Sequence, residues 1–354
     1  MGVNMKHDIL RIIDASLNRI GEGLRVLEEY ARFSLDDTAL TQQLKNLRHR
    51  LVRVDPKLQE QLLRGRDPAG DVGADMEVPG EDKRRDAAGV IAANARRVQE
   101  SLRVMEEIAR DAELNLETNT YKQARFTLYS IEKDLTGRML RRDKLKRLAG
   151  LYVIIDAAFL KGRSLTEVAA QAIRGGAATI QLRDKERKAR AFLNSAVELR
   201  DICSKHNVLF IVNDSLEVAL ASDADGLHVG QDDLPVAVAR RWLPIDKILG
   251  CSARTLDEAK KAGAEGADYL GVGAIFPTTT KDTAGATGTE IIKEIKQGVD
   301  LPLVAIGGIN QTNLKSVMKA GADAAAVISA VMGAADAEKA TRQLVKIIEG
   351  AQGE

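Results

Sequence analysis

The chain has 354 residues, is 45% hydrophobic and 29% charged, and carries a net charge of +1 with 3% aromatic residues. That describes a globular protein of about two domains and offers neither nucleic acid nor a membrane surface a charged face to bind. No stretch approaches the roughly 18 uncharged apolar residues of a membrane span, and the N-terminus MGVNMKHDILRIID lacks the apolar core and cleavage site of a signal peptide. A cytoplasmic location is therefore expected. Cys203 and Cys251 are too few for a disulfide scaffold or a zinc site, and both fall in apolar segments where buried thiols are expected.

Residues 1–148 read as an all-α domain. Leu17, Ile20, Leu24, Leu27 and Ala31 recur at three- and four-residue steps and so share one helix face. The pattern then returns, because residues 93–110, ANARRVQESLRVMEEIAR, echo residues 15–32, ASLNRIGEGLRVLEEYAR. Ala95, Val98, Leu102, Met105 and Ala109 form the second apolar stripe, and two related helices packed in a bundle are expected. A charged stripe repeats as well: Glu22, Arg25, Glu29 and Arg32 match Glu100, Arg103, Glu107 and Arg110. One reading is a solvated face whose ion pairs contribute roughly 0.2–0.5 kcal/mol each; the other is the lining of a shared polar cleft. Between the copies, Arg66 to Asp75 reads RDPAGDVGAD, either an ordinary loop or, through Asp67 and Asp71, a Mg²⁺ site. The domain boundary is expected just after the basic run RRDKLKR at 141–147.

Residues 149–354 change character. Eight short apolar runs follow, each bounded by turn residues and separated by segments of helical length: LYVII from Leu151, ATIQL from Ala178, VLFIV from Val208, DGLHV from Asp225, ILGC from Ile248, YLGVG from Tyr269, LVAIG from Leu303 and AAAVI from Ala324. Such runs suit parallel strands buried on both faces. Gly175-Gly176-Ala177-Ala178, Gly266-Ala267-Asp268 and Gly321-Ala322-Asp323 each lie just before a strand, where glycine ends one helix and turns the chain into the sheet. The fold class is α/β, a (β/α)8 TIM barrel, with an open doubly wound sheet as the rival.

In such a barrel the active site is built from loops at the C-terminal ends of the strands. Polar clusters sit there. Asp214 follows the third strand and Asp233 the fourth, a pair of hard oxygen donors that favours Mg²⁺, although either alone reads as a helix cap. Arg183 and Lys185 leave the second strand and Lys281 the sixth, so that cations stand beside the metal as a pyrophosphate leaving group requires. Gly307 and Gly308 after the seventh strand, and Ile328 and Ser329 after the eighth, occupy the place where these barrels bind phosphate. Thr278, Thr279 and Thr280 add hydroxyls near Lys281, and Gln181 and Asn213 add amides able to read a ring edge. His228, also at a strand end, reads as packing or as support behind the contacting residues rather than as an acid or base, and Trp242 reads as packing.

Taken in order, QLRDK, VNDS, LHVGQDD, GCSARTLDEA, YLGVGAIFPTTTKD, VAIGGI and AAAVIS resemble the thiamine-phosphate synthase family over residues 150–347. The resemblance implies condensation of hydroxymethylpyrimidine pyrophosphate with thiazole phosphate to give thiamine monophosphate and pyrophosphate. It implies that Gln181, Arg183, Lys185 and Asn213 contact the pyrimidine pyrophosphate, that Asp214 and Asp233 carry Mg²⁺, and that Ser252 sits near the pyrimidine. It places Thr278, Thr280 and Lys281 around the phosphates, and Gly308, Ile328 and Ser329 at the thiazole phosphate or its neighbour, with Lys281, Arg183 and Lys185 as the catalytic cations. Residues 6–140, through the doubled LRVxEE segments and RDxxGDVG, resemble a domain fused to this synthase that phosphorylates hydroxymethylpyrimidine phosphate, which implies ATP as co-substrate although no GxxxxGK[ST] loop is present. The alternatives are a non-catalytic oligomerisation or docking module at the N-terminus and a thiazole tautomerase-like barrel. The partners expected are small molecules, and a homo-oligomer is left open.

Overall fold

The apolar stripes decide the first unit. A computed structural model describes residues 2–67, 70, 86–111, 116–160, 162–185, 188–278 and 285–352 and divides the chain into two compact units, Met1–Leu140 and Arg141–Glu354. Helices α1 (Gly2–Glu29) and α4 (Ala87–Ile108) carry the two stripes, with Ala31 in the helical turn that follows α1 and Ala109 at the C-cap of α4, and every stripe residue is buried. Leucines of α2 (Thr38–Val52) and the apolar residues Ala124, Leu128, Ile131 and Leu135 of α5 (Thr118–Leu148) complete that core. The short helix α3 (Pro56–Gly65) starts with Pro56 behind Asp55, whose carboxylate caps the N–H groups of Lys57 and Leu58.

The repeated charges pair along their own helices, Arg25 with Glu29 at 2.5 Å and Arg103 with Glu107, as on a solvated face. The buried carboxylates are the residues just before those glutamates, which the stripe pattern passes over. Glu28 accepts from Arg25 (3.3 Å) and from Arg48 of α2 (3.0 Å), and Glu106 accepts from Arg103 (2.9 Å) and from Arg125 of α5 (3.1 Å). Each copy thus ties its helix to the next one by a carboxylate held between two guanidiniums. In the RDPAGDVGAD segment, Arg66 binds Asp14 (2.6 Å) and Asp67 accepts from the Gly70 N–H (3.0 Å), while Asp71 lies outside the described residues.

In the second unit all eight expected runs are strands: β1 (Gly150–Asp156), β2 (Thr179–Arg183), β3 (Leu209–Asn213), β4 (Gly226–Val229), β5 (Ile248–Ala253), β6 (Tyr269–Val272), β7 (Leu303–Ile306) and β8 (Ala324–Val327). They pair in sequence order, all parallel, and β8 returns to β1 to close the barrel. Alternation along each strand sends Leu151, Val153, Ile180 and Leu182 outward into the layer beneath the helices and Tyr152, Ile154, Ile211, Ile248 and Tyr269 inward. The expected glycine lead-ins are present, with Gly176, Gly266 and Gly321 at φ +100, +102 and +103, a left-handed conformation that a side chain resists. The aspartates beside them have their own work. Asp225, Asp268 and Asp323 accept the backbone N–H of Phe210, Leu249 and Leu303, so the starts of β4, β6 and β8 are each stitched to the odd strand before it.

The last turns of α5 belong to this unit. Arg141 donates to Asp268 (2.7 Å) and to the Ile245 carbonyl (2.6 Å), Lys144 to the Asp246 carbonyl (2.8 Å), and Leu148 is buried in the barrel interior. The compact units therefore part at Leu140, ahead of the RRDKLKR run, because that run is bonded to the strand starts. Trp242, expected to pack, is instead 66% exposed at the end of α9 (Val236–Trp242).

Both cysteines are buried, as expected. Burial raises the Cys203 thiol to about 12 and the Cys251 thiol to about 11, so at pH 8 about one Cys251 in a thousand is thiolate. Native protein should therefore resist Ellman's reagent at pH 8, with both thiols titrating only after unfolding; fast native labelling would contradict this burial.

Candidate active site

The C-terminal ends of the strands surround a cavity of about 400 Å³. Because side chains alternate, the last inward residue of a strand points to this mouth, and these positions are polar: Asp156 on β1, Arg183 on β2, Asn213 on β3, His228 on β4 and Ser252 on β5. The register sets them side by side, with Asp156 opposite Arg183 and Asn213 opposite His228.

Of the residues expected from the sequence, Gln181, Arg183, Lys185, Asn213, Asp233, Ser252, Thr278, Gly308, Ile328 and Ser329 line this one cavity. Asp214 is not part of its lining; it adopts φ +64, receives Lys185 Nζ at 4.0 Å from its Oδ2 and donates its N–H to the His228 carbonyl (2.8 Å). Thr279, Thr280 and Lys281 lie outside the described residues. Neither aspartate caps a helix, since Ser215 caps α8 (Leu216–Ala221) and Pro235 precedes α9. Asp233 braces its own loop by accepting the Gly230 N–H (2.8 Å).

Arg183 is held by a partner that the sequence reading did not single out. Its guanidinium bonds to Asp156, which is 2% exposed, and this aims a fixed cation at the cavity. The rule that finds Asp214 and Asp233, a carboxylate directly after a strand, also finds Asp156 at the end of LYVIID. Opposite, Gly307 and Gly308 have φ +102 and +65 and lie against the backbone of residues 274–277; a Cβ on Gly308 would stand 2.6 Å from the Pro277 carbonyl oxygen. Ser329 opens the four-residue helix α13 (Ser329–Met332) at the same rim.

Among the described residues no cluster of three His, Cys, Asp or Glu side chains is arranged to hold a metal. Two carboxylates at the ends of neighbouring strands nevertheless fit Mg²⁺, which takes one or two protein carboxylates and fills its octahedron with water and substrate phosphates. His228, expected as packing or as support behind a contacting residue, lies in the cavity wall with Nε2 3.1 Å from Ser252 Oγ.

A rim of cations with a backbone cradle facing it suits a doubly phosphorylated reaction, and comparison with known proteins is specific. The family model described as Thiamine monophosphate synthase matches residues 151–331, and that of the ThiD2 family matches residues 11–134. The thiamine-phosphate synthase of Thermosynechococcus vestitus is 39% identical over 344 residues, 97% of this chain and 95% of the relative. That of Synechocystis sp. is 39% identical over 341 residues, 95% of each. In structure, the thiamine phosphate pyrophosphorylase from Pyrococcus furiosus is 42% identical with a TM-score of 0.54, covering 58% of this chain and 98% of that one. Among the described residues no helix is long and apolar enough to cross a membrane. By the family model over residues 151–331 and by these relatives, the chain belongs to the thiamine monophosphate synthase family.

Proposed function

We propose that the barrel joins hydroxymethylpyrimidine pyrophosphate to thiazole phosphate, giving thiamine monophosphate and pyrophosphate. One observation carries this reading: side chains able to bind two phosphate groups and an aminopyrimidine, drawn from strands spread around the barrel, line a single cavity. Loss of pyrophosphate leaves a methylene cation on an electron-rich ring, and the thiazole nitrogen adds to it without deprotonation, so no strong general base is needed. The work of the protein is electrostatic and positional. Arg183, fixed by Asp156, and Lys185 balance the charge that grows on the leaving group, and Lys281 is assigned the same task. Gln181, Asn213 and Ser252 orient the pyrimidine, Thr278 and Thr280 contact phosphate oxygens, and Gly308, Ile328 and Ser329 offer backbone N–H groups to the thiazole phosphate. Mg²⁺ held by Asp214 and Asp233 would neutralise charge on the departing pyrophosphate.

The N-terminal unit, matched to the ThiD2 family, would make the substrate of the barrel by phosphorylating hydroxymethylpyrimidine phosphate with ATP. The test supplies full-length protein with thiazole phosphate and Mg²⁺. Thiamine monophosphate should form both from the pyrimidine pyrophosphate and from the pyrimidine monophosphate plus ATP, and a chelator should suppress both. Product from the pyrophosphate alone would make the N-terminal unit a docking or oligomerisation module; product from neither would overturn the proposal.

A further inference from the structure

Below the cavity mouth a line of polar side chains crosses the barrel interior. Gln181 Nε2 donates to the Tyr152 hydroxyl (2.8 Å), the Tyr152 and Tyr269 hydroxyls are 3.2 Å apart, Tyr269 Oη is 3.1 Å from His228 Nδ1, and His228 Nε2 is 3.1 Å from Ser252 Oγ. Gln181, Tyr152 and Tyr269 are 3%, 1% and 0% exposed. Two glycines make room for the line. Gly250 lies between His228 and Tyr269 in the register, and a Cβ there would overlap the Tyr269 ring. A Cβ on Gly271 would stand 2.8 Å from His228 Cε1. Two neighbouring strands thus give up a side chain where the tyrosine and histidine meet.

The direction of the line follows from its protons. Tyr152 receives an N–H from Gln181, and the arrangement that leaves no hydroxyl proton without an acceptor sends its own proton to Tyr269. The Tyr269 proton then goes to His228 Nδ1, which accepts it in the neutral tautomer protonated on Nε2. That Nε2–H points at Ser252 Oγ and leaves the serine proton for the cavity. At the other end Gln181 keeps its Oε1 as an acceptor. Burial raises both phenols above their ordinary range, so each keeps a proton to donate.

We propose that Tyr152, Tyr269 and His228 are positioning residues which set Gln181 as acceptor and Ser252 as donor, and that this polarity selects an aminopyrimidine over its oxo counterpart. The inference rests on the function proposed above and adds what discriminates the ring. An aminopyrimidine offers amino N–H donors and ring-nitrogen acceptors; the oxo form exchanges the amino donor for a carbonyl acceptor and protonates a ring nitrogen. Gln181 and Ser252 approach from β2 and β5, well apart around the barrel, so a ring between them meets one group of each kind. The oxo form would face acceptor with acceptor, and a buried mismatch of that kind is rejected strongly.

The test follows thiamine phosphate formation by the full-length chain, with the oxo pyrimidine pyrophosphate added as competitor. In wild type, its inhibition constant should exceed the KM of the amino substrate by about 10²-fold. Tyr269→Phe removes the donor to His228 and frees its tautomer, and Tyr152→Phe frees the Gln181 amide to turn; each should narrow that gap by about tenfold or more. Lost stability alone lowers the amount of active enzyme and leaves the ratio unmoved. An unchanged ratio in either active variant, or a wild type that binds the oxo form as well as the amino form, overturns the relay. A wild type that makes no thiamine phosphate overturns the function on which the relay rests, a different failure.

Discussion

Replacing Arg183 with alanine should lower turnover of the pyrimidine pyrophosphate by about 10²- to 10³-fold, as for loss of a fixed group that stabilises transition-state charge. The guanidinium is 18% exposed and bound to an almost fully buried carboxylate, so it has little freedom to lose when charge develops on the leaving group. Its removal also leaves Asp156 as an unpaired anion at the edge of a site for anionic substrates. Arg183→Ala should therefore raise KM as well as lower kcat, and adding Asp156→Asn should restore part of the affinity without restoring kcat. Arg183→Lys should fall between, because a single ammonium cannot reproduce the planar fork. Lys185, with a side chain 52% exposed, should cost less when truncated. Steady-state kinetics with Mg²⁺ and thiazole phosphate decide the matter, and near-wild-type kcat in Arg183→Ala would remove this residue from the mechanism.

The largest effect on stability is expected at Asp268, far from the chemistry. One buried carboxylate there receives Arg141 Nε (2.7 Å), an Arg240 N–H (3.0 Å) and the Leu249 N–H (2.8 Å). Burial raises its pKa in spite of both guanidiniums, so the cluster owes its role to completeness more than to net attraction. Asp268→Ala would leave the buried Arg141 and the half-buried Arg240 without this counter-ion and should cost about 3–5 kcal/mol. Asp268→Asn keeps an acceptor oxygen for one of the donors and should cost less. Urea titrations read by circular dichroism test both, and an Asp268→Ala midpoint equal to that of wild type would show that the guanidiniums find other partners.

How much of this was written in the sequence depends on what each signal measures. The barrel was legible because parallel strands buried on both faces appear as unbroken apolar runs, and because Gly176, Gly266 and Gly321 punctuate them where a left-handed turn is needed. Most of the cavity-lining residues were legible because a strand end fixes where the next polar side chain emerges, as for Arg183, Asn213 and Ser252. Pairings were not. Nothing in LYVIID says that its aspartate meets Arg183, since that contact depends on the strand register. Tyr152 and Tyr269 fall inside the apolar runs, and their hydroxyls find partners only once the sheet has closed. Glu28 and Glu106 escaped because helical periodicity marks the face of a residue and says nothing of the arginine on the neighbouring helix.

The segment from Arg141 to Leu148 looks like a tether by composition, yet it closes the underside of the barrel. The barrel is therefore not a module that begins with its first strand. A gene fusion or excision that broke the chain just ahead of Gly150 would carry away eight complete strands and leave behind the stopper that neutralises Asp268 and covers the apolar lower layer. Covalent order assigns those turns to the helical half, whereas folding assigns them to the barrel, so this synthase unit can be inherited intact only with a piece of its neighbour's last helix.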